Sequence, residues 1–130
     1  MRGNTENKII GTLDKSIIDE FRLNFKEGQP IYIGESNLKH MESEHPRDFK
    51  LYGDKIEEII SNPDYIAKHP NKKNSAIEYI KIYKNENNEH VLVAVRATGT
   101  GTLFARTLFV MDKEKVGKYK NKNALIPYKK

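Results

Sequence analysis

Leu38–Pro46 reads LKHMESEHP and holds two of the chain's four histidines, His40 and His45. Near neutral pH an imidazole can take and return a proton, so either suits acid–base chemistry. At about 100° per residue, five residues put the two rings roughly 140° apart on a helix. They cannot chelate one metal as an i, i+4 pair does. His40 and Glu44 have that spacing, but two ligands without a third make weak zinc chemistry. The structural alternatives are ordinary ones. His45 can finish an apolar stripe with Leu38 and Met41, and His40 can be a solvated surface residue.

A second set of residues interrupts an apolar hairpin. Val91, Val93, Val95 and Ala97 alternate strictly, which marks a strand. Arg96 breaks its other face. Arginine in a sheet is unfavourable unless paired or wet, and its planar guanidinium can hold a phosphate bidentately. The alternative partner is a carboxylate on a neighbouring strand. Arg106 and Thr107 break the next strand in the same way. Which of them joins Arg96 depends on the turn between Thr98 and Thr102. A two-residue loop at Thr100-Gly101 puts Thr107 beside Arg96 and Thr98. A three-residue loop, Gly99–Gly101, puts Arg106 there instead. Both registers are open.

Gly99-Thr100-Gly101 is not a P-loop, because no helix follows it. The chain has no Gly-x-Ser-x-Gly elbow and no Ser-His-Asp order of a hydrolase triad. Lys68, Lys72, Lys73 and Lys81 could guide a polyanion, or be solvated lysines. The 23 basic and 18 acidic residues leave a net charge of +5, which favours nucleic acid as a partner. The abundance of Lys, Asn and Ile fits an ordinary AT-rich genome equally well. There are no cysteines, so disulfides, thiolate metal sites and a cysteine nucleophile are excluded. No apolar run is long enough to span a membrane, and MRGNTENK lacks a signal-type stretch.

The elements that must position these residues can be read from pattern. One domain over residues 1–130 is expected, with 1–7 frayed. Lys8–Leu13 reads as a strand, and Asp14 caps a helix to about Phe25. Pro30–Gly34 reads as a strand, and Ser36 caps a helix over about Asn37–His45 that Pro46 ends. Asp48–Tyr52 is a connector or one helical turn. Asp54 with Glu57 suggests a capping box for a third helix. Tyr65–Lys68, Ser75–Lys84, His90–Ala97 and Leu103–Met111 read as strands, with turns at His69–Asn74 and Asn85–Glu89. Asp112 caps a helix to about Tyr119, and Ala124–Tyr128 suits an edge strand. Helices followed by a strand meander predict an α+β domain, with the helices on one face of an antiparallel sheet.

The order of these pieces is distinctive. A helix ending in His-x4-His-Pro precedes one ending in Asn-Pro-Asp-Tyr-Ile. Then come Ser-Ala-Ile-Glu-Tyr-Ile-Lys, Val-Leu-Val-Ala-Val-Arg and Arg-Thr-Leu-Phe. From about Ile31 to Tyr128 this resembles the phage-type nuclease domains of the barnase–EndoU–colicin–RelE group, which occur in phage head-associated proteins and polymorphic toxins. The resemblance implies a four-stranded antiparallel sheet and a metal-independent endoribonuclease that needs no cofactor. A base takes the proton from a ribose 2′-OH, the oxygen attacks the adjacent phosphorus, and an acid protonates the leaving 5′-oxygen. A cation stabilises the phosphorane. On this resemblance His45 and His40 are the acid–base candidates. Arg96 holds the phosphate and Thr107 donates to it. Thr98, Arg106, Lys39 and Lys68 are candidates for substrate binding. The implied partners are RNA, including tRNA, and an acidic immunity or antitoxin protein. The chain is expected to be a monomer without membrane attachment. Its place is the cytoplasm of a producing or target bacterium, a virion, or a larger carrier that delivers it.

Overall fold

The alternation at Val91, Val93 and Val95 becomes the middle of a sheet. In a computed structural model, which describes residues 7–68, 76–84 and 88–128, these valines are buried against helices. The intervening Leu92 and Ala94 enter a second apolar cluster on the opposite face. The turn at His69–Asn74, with Lys72 and Lys73, lies outside the described residues, as do residues 1–6 and Asn85–Asn87.

In chain order the elements are β1 (Lys8–Thr12), α1 (Lys15–Phe21), β2 (Pro30–Ile33), α2 (Glu35–Glu44), α3 (Pro46–Tyr52) and α4 (Ile56–Ser61). Then come β3 (Tyr65–Lys68), β4 (Ile77–Tyr83), β5 (Glu89–Ala97), β6 (Leu103–Met111), α5 (Lys113–Asn121) and β7 (Ile126–Pro127). The strands form one seven-stranded sheet in the order β1-β2-β6-β5-β4-β3-β7. The expected four-stranded meander is therefore only β3 to β6. β1 and β2 extend one side, and β7 closes the other. The sheet is mixed, because β2 runs parallel to the start of β6.

The α+β class holds; the four N-terminal helices pack on one face, and α5 adds a helix on the other. Ile17 of α1, Met41 of α2, Tyr52 of α3 and Ile56, Ile59 and Ile60 of α4 join the cluster around Val91, Val93 and Val95. Tyr119 and Val116 of α5 pack with Ile80, Leu92 and Ala94 on the other side. Among the described residues no helix is long and apolar enough to cross a membrane.

Several boundaries differ from expectation for local reasons. α1 stops at Arg22, a left-handed residue with φ 53° whose N–H returns to the Ile18 carbonyl. Phe21, Leu23 and Phe25 recur at every second residue, and all three pack against the core. α2 is capped by Gly34, whose N–H donates to Asn37 Oδ1 at 2.8 Å, rather than by Ser36. Pro46 starts α3 as well as ending α2. It lacks the N–H that a first helical position would leave unpaired, and it keeps His45 out of the helical conformation between the two helices. A 3-10 turn, Gly53–Lys55, precedes α4, so Asp54 forms no side-chain cap there.

β6 borders β2 only at Leu103 and Phe104. Beyond that, α2 and α3 cover its free edge. Asp48 accepts the N–H of Val110 at 2.9 Å, which supplies a partner that an open edge would lack.

Asp14 ties the two ends of the chain. Its carboxylate accepts from Ile17 N at 3.1 Å, from Ser16 Oγ at 2.7 Å and from the Tyr128 hydroxyl. Burial works against the charge, but these donors outweigh it and hold the carboxyl below the ordinary 3.8. A depressed folded value means that the stabilisation is full above the unfolded pKa and is lost as pH falls through the folded one. Asp14→Ala is expected to lower stability by about 1 kcal/mol at pH 7. The gap in Tm between wild type and variant should shrink on acidification below 3.8. Thermal melts at several pH values measure it, and a gap independent of pH would refute the assignment.

Candidate active site

The turn that joins β5 to β6 decides the face around Arg96. Thr98 N donates to the Thr102 carbonyl at 2.8 Å, and Gly101 N to the Thr98 carbonyl at 2.9 Å. Gly101 sits at φ +87°, which glycine adopts without strain. The loop is thus the three-residue one, and Arg96 faces Phe104. That register alone would place Arg106 opposite Ala94. Instead the pairing shifts between Ala94 and Val95: Ala94 faces Thr107, Val95 faces Ala105, and Arg106 is the extra residue of a bulge. A bulge inserts one residue and so reverses the parity of every later position on its strand. Thr107 therefore returns to the face of Ala94 and Arg96 despite the three-residue loop. The Thr98 hydroxyl is engaged in the turn, accepting from Thr102 N at 3.2 Å.

Arg106 is not lost to the site. Arg96, Arg106 and Lys68 line one cavity of about 540 Å³, walled by Leu23, Phe25 and Leu103. Arg96 and Arg106 are exposed, and among the described residues neither forms an ion pair. Three cations around one opening make a local positive field that attracts polyanions. The carboxylate partner considered for Arg96 does not appear among the described residues.

On the face of Arg96, one row crosses four strands: Ala67 of β3, Glu78 of β4, Ala94 of β5 and Thr107 of β6. Glu78 is 7% exposed, the one buried charged side chain among the described residues. It accepts from the Tyr119 hydroxyl at 2.8 Å. Burial, then that bond and the carboxylate's charge, pushes the Tyr119 phenol well above its ordinary range. The flanking Ala67 and Ala94 are themselves buried with Tyr119 in the cluster under α5. Arg96 lies one row further along on the adjacent strand, so the two are diagonal neighbours. Sequence reasoning missed Glu78. The signal was its place in the period-two series Ala76, Glu78, Ile80, where a charge interrupts an inward face.

His45 is half-buried, and its ring lies 5.4 Å from that of Phe109. Phe109 faces Leu92, four residues from Arg96 along β5. At about 3.3 Å per residue the two rows are about 13 Å apart, with the Thr107 row between them. His45 and Arg96 therefore flank Thr107 along the sheet. His40 and Lys39 are exposed on α2, where they neighbour Glu44 at 4.0 Å and Glu35 at 3.7 Å. His90, at the opposite end of β5 from Arg96, lines a separate cleft with Lys113 and Lys120. Burial there holds its imidazole below the ordinary 6.5.

Residues 7–118 match the family model described as phage-Barnase-EndoU-ColicinE5/D-RelE like nuclease3. The chain belongs to this nuclease family. Neither the curated proteins nor the solved structures contain a match to it. The matched span includes α2, the β5–β6 hairpin and Glu78, so every candidate side chain named above except Tyr119 and Lys120 falls within it. As a nuclease domain it acts on nucleic acid. Among the described residues no three His, Asp or Glu side chains converge as metal ligands. The side chains that this face presents are the Arg96 guanidinium, the Thr107 hydroxyl and the Glu78 carboxylate, with the His45 imidazole beside Phe109.

Proposed function

We propose that this nuclease is an endoribonuclease that cleaves RNA without a metal, as a toxin or phage effector acting in a bacterial cytoplasm. The observation that carries the reading is the cavity lined by Arg96, Arg106 and Lys68, which form no ion pair among the described residues, inside the span matched to a nuclease family. Arg96 holds the scissile phosphate, with Thr107 donating to it. Glu78 stands in the row of Thr107, two strands away, and His45 stands beside Phe109, further along β6. In-line displacement needs a base and an acid in separate places, because attack and departure occur on opposite sides of phosphorus. Glu78 takes the proton from the ribose 2′-OH, whose oxygen forms the new bond to phosphorus. The bond to the 5′-oxygen breaks, and His45 protonates that oxygen. The products are a 2′,3′-cyclic phosphate and a 5′-hydroxyl. His40 is the second candidate acid, and Lys39 and Thr98 are outlying contacts to substrate. The net charge of +5 supports both the RNA substrate and an acidic immunity partner that binds the monomer.

Incubation of the purified chain with total RNA, tRNA and single-stranded DNA in EDTA tests this. RNA should be cut to cyclic-phosphate ends, and DNA, which lacks the 2′-OH, should stay intact. Intact RNA would leave a non-catalytic nucleic-acid-binding or phage-structural module on the same fold. Cleavage of DNA at the same rate, or cleavage only after divalent cations are restored, would also overturn the proposal.

A further inference from the structure

The face that carries Arg96 continues outward over three more strands. Arg96 of β5 faces Phe104 of β6, Phe104 neighbours Tyr32 of β2, and Tyr32 faces Ile9 of β1. This row lies beyond the cluster that α5 covers, and neither ring belongs to that cluster. Ile9 is 55% exposed, and both rings are only partly buried. The Tyr32 and Phe104 rings lie 5.9 Å apart at 40°, close enough to act as one aromatic surface. A groove of about 590 Å³ opens beside Tyr32 and is lined by Lys26, Gln29 and Thr100. An exposed apolar row that ends in a guanidinium with no ion pair among the described residues suits a ligand with both a flat apolar part and an anion. Strands are about 4.8 Å apart, so Phe104 and Tyr32 stand about 5 and 10 Å from the Arg96 position. A nucleobase sits at a comparable distance from its own phosphate.

We infer that Tyr32 and Phe104 form a stacking platform for an unpaired nucleobase next to the phosphate held by Arg96, which makes this chain selective for single-stranded nucleic acid. The inference rests on the proposed phosphate site at Arg96. A base inside a duplex cannot lie on these rings, because its faces are already stacked. Lys26, in the groove beyond Tyr32, meets the next phosphate along the strand.

The test uses the full chain and fluorescein-labelled 2′-O-methyl oligouridine, which lacks the attacking hydroxyl and so survives. An abasic oligomer of equal length keeps the phosphates and removes the bases. Fluorescence anisotropy should show the base-bearing strand bound more tightly than the abasic one. Tyr32→Leu and Phe104→Leu keep apolar bulk, and each should weaken binding of the base-bearing strand by about 5- to 150-fold. Binding of the abasic strand should stay unchanged, and Tyr32→Phe should match wild type. Equal binding of both strands by wild type, or leucine variants that bind as wild type does, would overturn the platform. So would sedimentation showing a dimer that the leucine variants dissolve, since the row would then be a contact between copies of the chain. RNA cleavage in EDTA reports on the nuclease proposal separately. A chain that cuts RNA but ignores the leucine changes refutes only the platform, and one that binds through these rings without cutting refutes only the endoribonuclease.

Discussion

Arg96→Ala should lower RNA cleavage by about 100- to 1,000-fold, the usual effect of removing one donor aimed at developing charge. The guanidinium is exposed and forms no ion pair among the described residues, so its loss leaves no buried charge unpaired. Thermal stability should move by no more than about 0.5 kcal/mol, as at other surface positions. Arg96→Lys retains the charge but loses the bidentate fork, so it should recover only part of the rate. The contrast with Arg106→Ala is informative. Arg106 lines the same cavity, but as the bulge residue it pairs with no residue of β5. Its removal should weaken substrate binding, raising KM more than it lowers kcat. Single-turnover cleavage by the three variants measures this. Unchanged cleavage by Arg96→Ala would remove Arg96 from the site.

Glu78→Gln is the second large effect. Its amide oxygen can still accept from the Tyr119 hydroxyl, so the packing under α5 is retained. The change removes the ability to take a proton. Positioned acid–base catalysis contributes about 100- to 10,000-fold, and cleavage should fall by that order. The rate of wild type should rise with pH along an acidic limb as the base deprotonates, and Glu78→Gln should flatten that limb. Tyr119→Phe provides the control. It removes the hydroxyl that Glu78 holds, so it tests the structural role of the pair alone. If Glu78 only anchors α5, Tyr119→Phe should lower Tm, Glu78→Gln should largely keep it, and both should leave the pH profile of cleavage unaltered. An unaltered profile in Glu78→Gln would therefore refute its role as base.

The elements that residues dictate to their own neighbours were legible. Alternation at Val91–Val95 predicted β5, because side chains two apart share a face whatever lies across the sheet. Asp14 and Asp112 were readable as caps, and both accept from an N–H three residues on. Where tertiary contacts compete with local preference, expectation failed. Asp54 yielded to a 3-10 turn, and the apolar residues after Phe21 left the helix to pack against the core from an irregular, bent segment. The count of strands was legible only in part. β1, β2 and the tail strand were each read from local pattern, but their union with the central hairpin is a long-range event. In particular, the parallel pairing of β2 with β6 joins segments about 70 residues apart.

The candidate site divides in the same way. Composition and residue type determined that this chain is basic, cysteine-free and built around a hairpin with an arginine on each strand, since these are properties of the chain itself. The order of its motifs carried the likeness to a nuclease family, and residues 7–118 match that family. Only the tertiary structure decided which side chains share a face. The sequence posed Thr107 and Arg106 as exclusive neighbours of Arg96. The bulge brings Thr107 to that face and leaves Arg106 on the rim of the same cavity as Arg96. A bulge arises where two strands must keep both their faces buried while one holds an extra residue, so it depends on the partner strand and on the core beneath. The same applies to Glu78: a glutamate in a strand pattern is unremarkable until α5 folds over it and supplies Tyr119 as its donor.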